Sequence, residues 1–568
     1  MTDKLDVYRK ALKPLPKKNF VWPLYGAGLE NLGLNGQPID LGIPEIGPDE
    51  LIVRHDACGL CFSDIKVIKA GETHPRIYRK MNENPVVLGH EIAMTVVKVG
   101  NNLKDQYSPG DRFTIQADIF INGTGYAYGY EIQGGLSEYN VIDQRVLNGD
   151  DGNYLLPVKN ETGYAESALT EPWACVIAAY QLKYRTSMKQ NGIAWIIGTG
   201  NGKDYIFDSS ITEGNHPKNI YYTNLNSKLL SWLKHGTERF GYELTEIFDV
   251  SKPPIEEFDD IILLGSNPDF VETTSQYLSD YGVFAIISDK PFDRKVSIDV
   301  GRIHYNRWVF VGASSDNIAE AYTSVPVRST IKPGGRTWFV GAGGPMGRMH
   351  VQRAIQLENG PKTIVCSDVS DLRLDDLCVS FAEEAREKGI TFVCLNPIRK
   401  EEYLSELAKF SDGFDDIIVL APIVPVIAES AGYLANRGVM NVFAGLSRGT
   451  KVELPLSDAY LKQTRVIGHS ASTIDDLRLM LQQTEEGVLS PNRSVAAIGS
   501  LTAAKDGLIA VQDTSFPGKV VIFPHIREFP LTSLPELKEK LPSVFALLKD
   551  EREWTKEAED EFLREMLP

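Results

Sequence analysis

Two stretches of this chain, Phe258-Asp259-Asp260-Ile261-Ile262-Leu263-Leu264 and Phe414-Asp415-Asp416-Ile417-Ile418-Val419-Leu420, are nearly the same sentence written twice, about 155 residues apart. Each runs from a pair of acids into branched apolar residues, which reads as a strand buried on both faces. The same texture recurs around each copy. Short apolar runs at 194–198, 219–222, 283–287 and 308–312 surround the first, and runs at 337–341, 363–366, 439–443 and 465–468 surround the second. Segments of helical length separate them, and strands alternating with helices imply a parallel sheet covered on both faces. We read this as the duplication of a whole doubly wound α/β unit. At 568 residues the chain exceeds one core, and about three or four domains are expected.

Before the first copy the texture differs. Residues 1–187 are rich in Gly, Pro and short alternating runs, such as Leu51-Ile52-Val53-Arg54-His55 and the apolar stretch 92–99, which predicts an irregular, mostly β domain. It carries Cys58-Gly59-Leu60-Cys61-Phe62-Ser63-Asp64 and Gly89-His90-Glu91. A thiolate, an imidazole and a carboxylate with a fourth position left open is the donor set of a catalytic zinc. The bland readings are a buried small thiol at Cys61 and a satisfied core histidine at His90. Cys58 and Cys61 also spell C-x-x-C, but no thioredoxin-like βαβ context surrounds them, and Cys58 is expected in the core.

In the second α/β unit Gly341-Ala342-Gly343-Gly344-Pro345-Met346-Gly347 follows an apolar run. Glycines there let a pyrophosphate approach the backbone at a helix N-terminus. Asp368, after the next strand, is placed to hold the ribose hydroxyls and repel a 2′-phosphate, which favours NAD over NADP; Arg373 nearby weakens that preference. In the first unit Gly198-Thr199-Gly200-Asn201-Gly202-Lys203 lacks the last glycine in register, and its second strand ends in Tyr222-Thr223-Asn224 with no acid. That copy reads as degenerate, with binding of another nucleotide or an effector as the alternative.

The net charge of -17 argues against nucleic acid or an anionic membrane as partner. Six sparse cysteines favour reduced thiols and a cytoplasmic setting. No apolar run follows the charges of Met1-Thr2-Asp3-Lys4-Leu5-Asp6, so no signal peptide is expected. No apolar stretch is long enough for a membrane span.

Taken together, Gly59 to Asp64, Gly89-His90-Glu91, Pro109-Gly110-Asp111-Arg112, Gly134-Gly135-Leu136-Ser137-Glu138-Tyr139, Glu171-Pro172-Trp173-Ala174-Cys175 and the run from Gly518 to Ile522 resemble the medium-chain dehydrogenase/reductase superfamily, in its zinc-containing polyol branch. The resemblance implies a GroES-like catalytic domain over 1–187, completed by about 495–526, and Rossmann domains at 188–330 (degenerate) and 331–494 (NAD-binding). A helical tail is expected over 527–568. It implies one catalytic zinc held by Cys61, His90, Glu91 and Glu171, the glutamates directly or through water. The four cysteines that bind a structural zinc in many relatives are absent. Asp64 is expected to orient His90, Ser63 to start a proton relay and Glu171 to act at the reacting centre. Relatives often carry a histidine where Lys66 stands. The cofactor segment would be Gly341, Gly343, Gly344, Pro345, Met346, Gly347, Asp368 and Arg373.

The activity implied is hydride transfer between NAD(H) and a hydroxyl or ketone of a polyol, sugar or sugar phosphate. Lyase or epimerase chemistry with retained NAD, and a non-redox binding role on the same scaffold, are the alternatives. Pocket candidates are Tyr126, Tyr128, Tyr130, Glu131 and Gln133, a basic cluster of His74, Arg76, Arg79 and Lys80 suited to a phosphate or acid, and Arg302 with His304. Family members dimerise through Rossmann edge strands. A fused second copy would make that joint within one chain, as a pseudo-dimer; a homo-oligomer is the other possibility.

Overall fold

In the computed structural model of the chain, residues 3–207, 210–323, 328–469 and 471–568 are described. Met1 and Thr2, which open the stretch read for a leader, lie outside them. The chain divides into two compact units: Met1–Ala178 with Gly344–Met349 and Ala471–Pro568, and Ala179–Gly343 with His350–Ser470. Both parallel sheets fall in the second unit.

The first unit is built on an eight-stranded sheet. Leu155–Pro157, Arg112–Ile115, Glu91–Val99, Leu51–Gly59, Lys519–Phe523, Val495–Ser500 and Thr532–Ser533 follow one another, and Tyr139–Ile142 pairs with Leu51–Gly59. Leu51–Gly59 is buried along its whole length because it lies in the middle. Strand Lys519–Phe523 runs antiparallel to it, with Val521 opposite Gly59, so the C-terminal part of the chain completes the sheet begun by the N-terminal part. Leu51, Val53, Ile92, Met94, Ile115, Leu136 and Ile522 share its main apolar core. The C-terminal helix Lys556–Met566 docks on this unit through Phe562 and Leu563. Its Glu559 carboxylate accepts from the backbone N–H groups of Tyr164 and Ala165 at 2.6 and 2.7 Å, capping helix Tyr164–Ala168 with a negative charge at its positive end.

The second unit holds two parallel six-stranded sheets. In the first the order is Glu243–Glu246, Asn219–Thr223, Ile193–Gly198, Phe258–Leu264, Leu278–Ile287, Val309–Ala313; in the second it is Thr391–Leu395, Thr363–Ser367, Arg336–Val340, Phe414–Val419, Leu434–Val442, Arg465–Gly468. Both are the 3-2-1-4-5-6 order of a Rossmann fold. The likeness extends to single bonds. Asp260 takes the Arg185 guanidinium and the Lys189 N–H, as Asp416 takes those of Arg328 and Lys332. The indoles of Trp195 and Trp338 donate to Thr223 and Ser367 at the end of the neighbouring strand. A register shift falls at Phe258/Asp260 and again at Phe414/Asp416. The duplication is therefore structural as well as textual.

One apolar core serves both sheets, with Trp195, Phe284 and Phe310 from one and Trp338, Phe414 and Met440 from the other. The two outermost strands, Val309–Ala313 and Arg465–Gly468, lie against each other without joining in one ladder. The backbone pairing between the copies is made instead by Val296–Asp299 and Lys451–Leu454, antiparallel. Arg302 and His304, read as possible cleft residues, are used in this unit. His304 bonds the Val442 carbonyl at 3.1 Å and Arg302 lies over the Trp308 ring.

The expectation of six reduced thiols fails for one pair. Cys378, on helix Asp371–Glu387, and Cys394, on strand Thr391–Leu395, form a disulfide, because the crossover brings that helix back over its following strand. The other four are free. Among the described residues, no helix is long and apolar enough to cross a membrane.

Candidate metal and nucleotide sites

Strand Leu51–Gly59 ends at Gly59, and helix Phe62–Ala70 begins one turn of chain later with Cys61 at its N-cap. Gly89 precedes His90 with φ +97°, and a Cβ there would meet the Cys58 sulfur at 2.6 Å. Only glycine permits that turn, and the turn is what brings the two segments together. Ligand atoms of Cys61, His90 and Glu91 consequently lie within 4.8 Å of one another. Cys58 points into the apolar core, as expected.

Asp64 fixes this arrangement from beneath. It is fully buried. One oxygen accepts the Cys61 N–H at 2.9 Å, and the other meets His90 Nδ1 at 3.1 Å. That leaves His90 Nε2 as the ligand atom. Burial alone would disfavour the imidazolium, but Asp64 outweighs it and raises the basicity of His90 well above its ordinary value. Glu91 is fully buried, its Oε1 paired with the Lys519 ammonium and its Oε2 without a hydrogen-bond partner. A Cβ at Gly59 would overlap that oxygen, so this glycine keeps the space into which Oε2 projects. A buried carboxylate oxygen with no partner is costly, and a cation beside a thiolate and an imidazole removes the cost. The residues therefore fit a zinc ion.

Glu171 stands outside the three-residue group, on helix Thr170–Ala178. It is in electrostatic reach of His90, Glu91, Asp118 and Lys519, and burial first, then the neighbouring acids, push its carboxyl up to about 7. Ser63 lies in the first turn of helix Phe62–Ala70. Lys519 was missed in the sequence. Its only signal was a lysine opening an otherwise apolar strand, and its ammonium reaches the Leu60 carbonyl at 3.1 Å as well as Glu91.

The residues read as pocket lining divide. Tyr130 is buried with its ring 5.7 Å from that of His90. Tyr128 is a core residue whose hydroxyl meets His55 Nε2 at 2.6 Å. Glu131 is paired with Arg79, Gln133 bonds the Val87 N–H and the Pro85 carbonyl, and Tyr126 packs on Tyr78. Arg76 is paired with Asp118, and exposed Lys80 with Glu83.

In the second parallel sheet, Gly341 has φ +83°, and the Gly341 and Ala342 N–H groups both donate to the Ser367 carbonyl. Helix Pro345–Gln356 follows, with proline and Met346 in its first turn and Gly347 next, where proline at N1 sacrifices no bond. Asp368 Oδ2 accepts the Gly343 N–H at 3.0 Å, and Oδ1 accepts that of Ser370. A Cβ at Gly343 would meet Arg373 at 2.6 Å and Asp368 at 3.0 Å, whereas at Gly344 nothing lies within 4 Å. A glycine turn, a helix behind it and a carboxylate at the next strand end fit a dinucleotide.

The first copy lacks this cradle. Thr199 folds back, its hydroxyl on the Leu264 carbonyl, and Asn224 bonds the Gly198 carbonyl at 3.2 Å. Among the described residues no helix lies between Ile193–Gly198 and Asn219–Thr223, so no helix opens directly from the turn.

The alcohol dehydrogenase GroES-like domain matches residues 47–148, the segment that holds Cys61, His90 and Glu91. Mannitol-1-phosphate 5-dehydrogenase of Aliivibrio fischeri is 24% identical over 498 residues, 87% of this chain and 84% of that protein. L-sorbose 1-phosphate reductase of Klebsiella pneumoniae is 24% identical over 51% of this chain and 75% of its own length. The crystal structure of 2R,3R-butanediol dehydrogenase from Bacillus subtilis superposes with a TM-score of 0.50 at 14% identity, over 89% of this chain and 99% of that one, a likeness of fold. The chain thus joins a segment similar to the alcohol dehydrogenase GroES-like domain to two parallel sheets of Rossmann order.

Proposed function

We propose that the chain is a zinc-dependent, NAD-linked dehydrogenase acting on a hydroxyl of a polyol, sugar or sugar phosphate, or on the corresponding ketone. The observation that carries this reading is the convergence of Cys61, His90 and Glu91, with a partnerless buried oxygen on Glu91, in a chain that also bears a complete dinucleotide cradle. The two relatives, a polyol-phosphate dehydrogenase and a sugar-phosphate reductase by name, support the substrate class.

Cys61, His90 and Glu91 would hold one zinc, with Glu171 close by as a further ligand or a partner of bound water. When bound, zinc supplies a Lewis acid that polarises an alcohol or carbonyl oxygen, and NAD supplies the hydride acceptor. The chain's own residues do the rest. Asp64 holds His90 in one tautomer. Ser63, whose hydroxyl both donates and accepts, carries the substrate proton away. Lys519 holds Glu91 through Oε1, which leaves Oε2 for the metal. Gly341, Gly343, Gly344 and Gly347 admit the pyrophosphate, Pro345 and Met346 begin the helix behind it, and Asp368 with Arg373 meets the ribose. Asp368 favours NAD.

The test is paired. Zinc content and NAD binding are measured on the purified chain, on Cys61→Ser and on Gly343→Val. The reading expects about one zinc per chain, lost in Cys61→Ser with NAD binding kept, and NAD binding lost in Gly343→Val with zinc kept. Zinc retained by Cys61→Ser at full stoichiometry would refute the assignment of the metal centre.

A further inference from the structure

The basic residues between the two zinc-site segments do not act as one group. Arg79 is committed to Glu131, through both the carboxylate and the backbone carbonyl. Lys80 reaches only Glu83, with both side chains largely in solvent. His74 and Arg76 are different. The His74 ring lies 5.1 Å from Tyr130, edge-on, and Tyr130 in turn lies 5.7 Å from His90. A single aromatic ring therefore separates His74 from a candidate zinc ligand.

The His74 tautomer is set locally. Its Nδ1 accepts the Arg76 N–H at 3.3 Å, which leaves Nε2 to carry the proton and donate. Burial first, then the charges of Arg76 and Lys66, hold His74 below its ordinary basicity. Lys66 is exposed on helix Phe62–Ala70, and among the described residues its ammonium forms no ion pair. Arg76 gives one NH group to Asp118; among the described residues, no other guanidinium donor of Arg76 makes a hydrogen bond. Arg76 thus commits a single nitrogen to Asp118, beside a His74 ring whose Nδ1 takes its backbone N–H.

We infer that Lys66, His74 and Arg76 form the recognition site for the phosphate group of a phosphorylated polyol or ketose whose reacting carbon lies at the metal centre. A phosphate monoester is close to a dianion at neutral pH and offers three acceptor oxygens. Lys66 supplies a mobile charge, Arg76 planar N–H donors whose orientation Asp118 fixes, and His74 one neutral N–H. Tyr130 is the wall along which the carbon chain lies. The inference rests on the dehydrogenase reading for the identity of the reacting centre, but not for the anion contacts.

The test uses zinc-loaded chain with NAD, and matched pairs of hexitols and pentitols with and without a terminal phosphate. Lys66→Met and Arg76→Met are compared with wild type and with Arg76→Lys, with calorimetric binding of the same compounds and of inorganic phosphate as a second readout. The inference expects turnover of phosphate esters at a KM roughly 10-fold or more below that of the free polyols. Each Met variant should raise that KM by roughly 10-fold, the size of one charged hydrogen bond, with kcat little changed and the free polyols unaffected; Arg76→Lys should recover part of the loss. Equal KM for both members of each pair, or variants that raise both alike, would overturn it while leaving the dehydrogenase reading intact. If nothing is turned over, calorimetry decides separately: phosphate-ester binding weakened by Lys66→Met supports the site, and absence of binding overturns it.

Discussion

Lys519 and Glu91 are both essentially buried, at 4% and 0% exposure, and among the described residues each is the other's only opposite charge in direct contact. Removing one partner of a buried pair costs about 3–5 kcal/mol, because the other charge is stranded. A metal ion at Glu91 supplies a substitute. Lys519→Met should therefore lose about 3–5 kcal/mol of stability without zinc and clearly less with zinc bound, as read by urea unfolding in both states. An equal loss in the two states would mean that Glu91 does not face the metal. This pair also marks where sequence reading stops. Cys61 and His90 are spelled out in short local motifs. The partner of Glu91 lies 428 positions away, and only the return of the C-terminal strand to the first sheet brings it there. The pairs Arg79–Glu131 and Arg76–Asp118 were invisible for the same reason, so four basic residues looked like one cluster.

At the scale of elements, helix Tyr164–Ala168 illustrates how tertiary packing sets charge. Glu166, in its first turn, has its carboxyl raised from 4.5 to about 7, by burial first and by Glu559 and Glu557 among the rest, against a bond from the Gly163 N–H. A raised carboxyl stabilises the fold in its protonated form. Its contribution is complete below pH 4.5 and is lost as pH rises through 7. Stability at pH 5 relative to pH 8 should thus shrink by about 1–2 kcal/mol in Glu166→Gln; an unchanged pH profile would contradict the assignment. Glu559 caps the same helix from the C-terminal helix, so Glu559→Ala should cost about 1–3 kcal/mol and expose the C-terminal residues to proteolysis. The existence of these elements was legible from periodicity and turn residues. Their contacts were not, because a helix face does not name what it packs on. The Cys378–Cys394 disulfide is an example: nothing in a spacing of 16 residues distinguishes it from two separate thiols until the crossover helix is folded over its strand.

For the whole molecule, the repeated Phe-Asp-Asp signal carried far, since the strand order, the Asp–Arg pairs and the Trp bonds of the two parallel sheets all repeat. The joint between the copies was foreseen as edge strand to edge strand. The edges do meet, but the ladder is formed by Val296–Asp299 and Lys451–Leu454, short strands that no apolar run announced. Among the described residues only the second copy has a glycine turn that runs directly into a helix, so we expect about one NAD bound per molecule by calorimetry; two equivalent sites would contradict the degeneracy of the first copy. The central claim, a zinc-dependent dehydrogenase, is tested most directly by following NADH formation by zinc-loaded chain across polyols, sugars and their phosphates, with Cys61→Ser in parallel. The account predicts a rise with one group of substrates that is absent in Cys61→Ser and after zinc removal. No net NADH with any of them, from protein shown to bind both zinc and NAD, would contradict it and point to chemistry in which NAD is retained, or to a binding role.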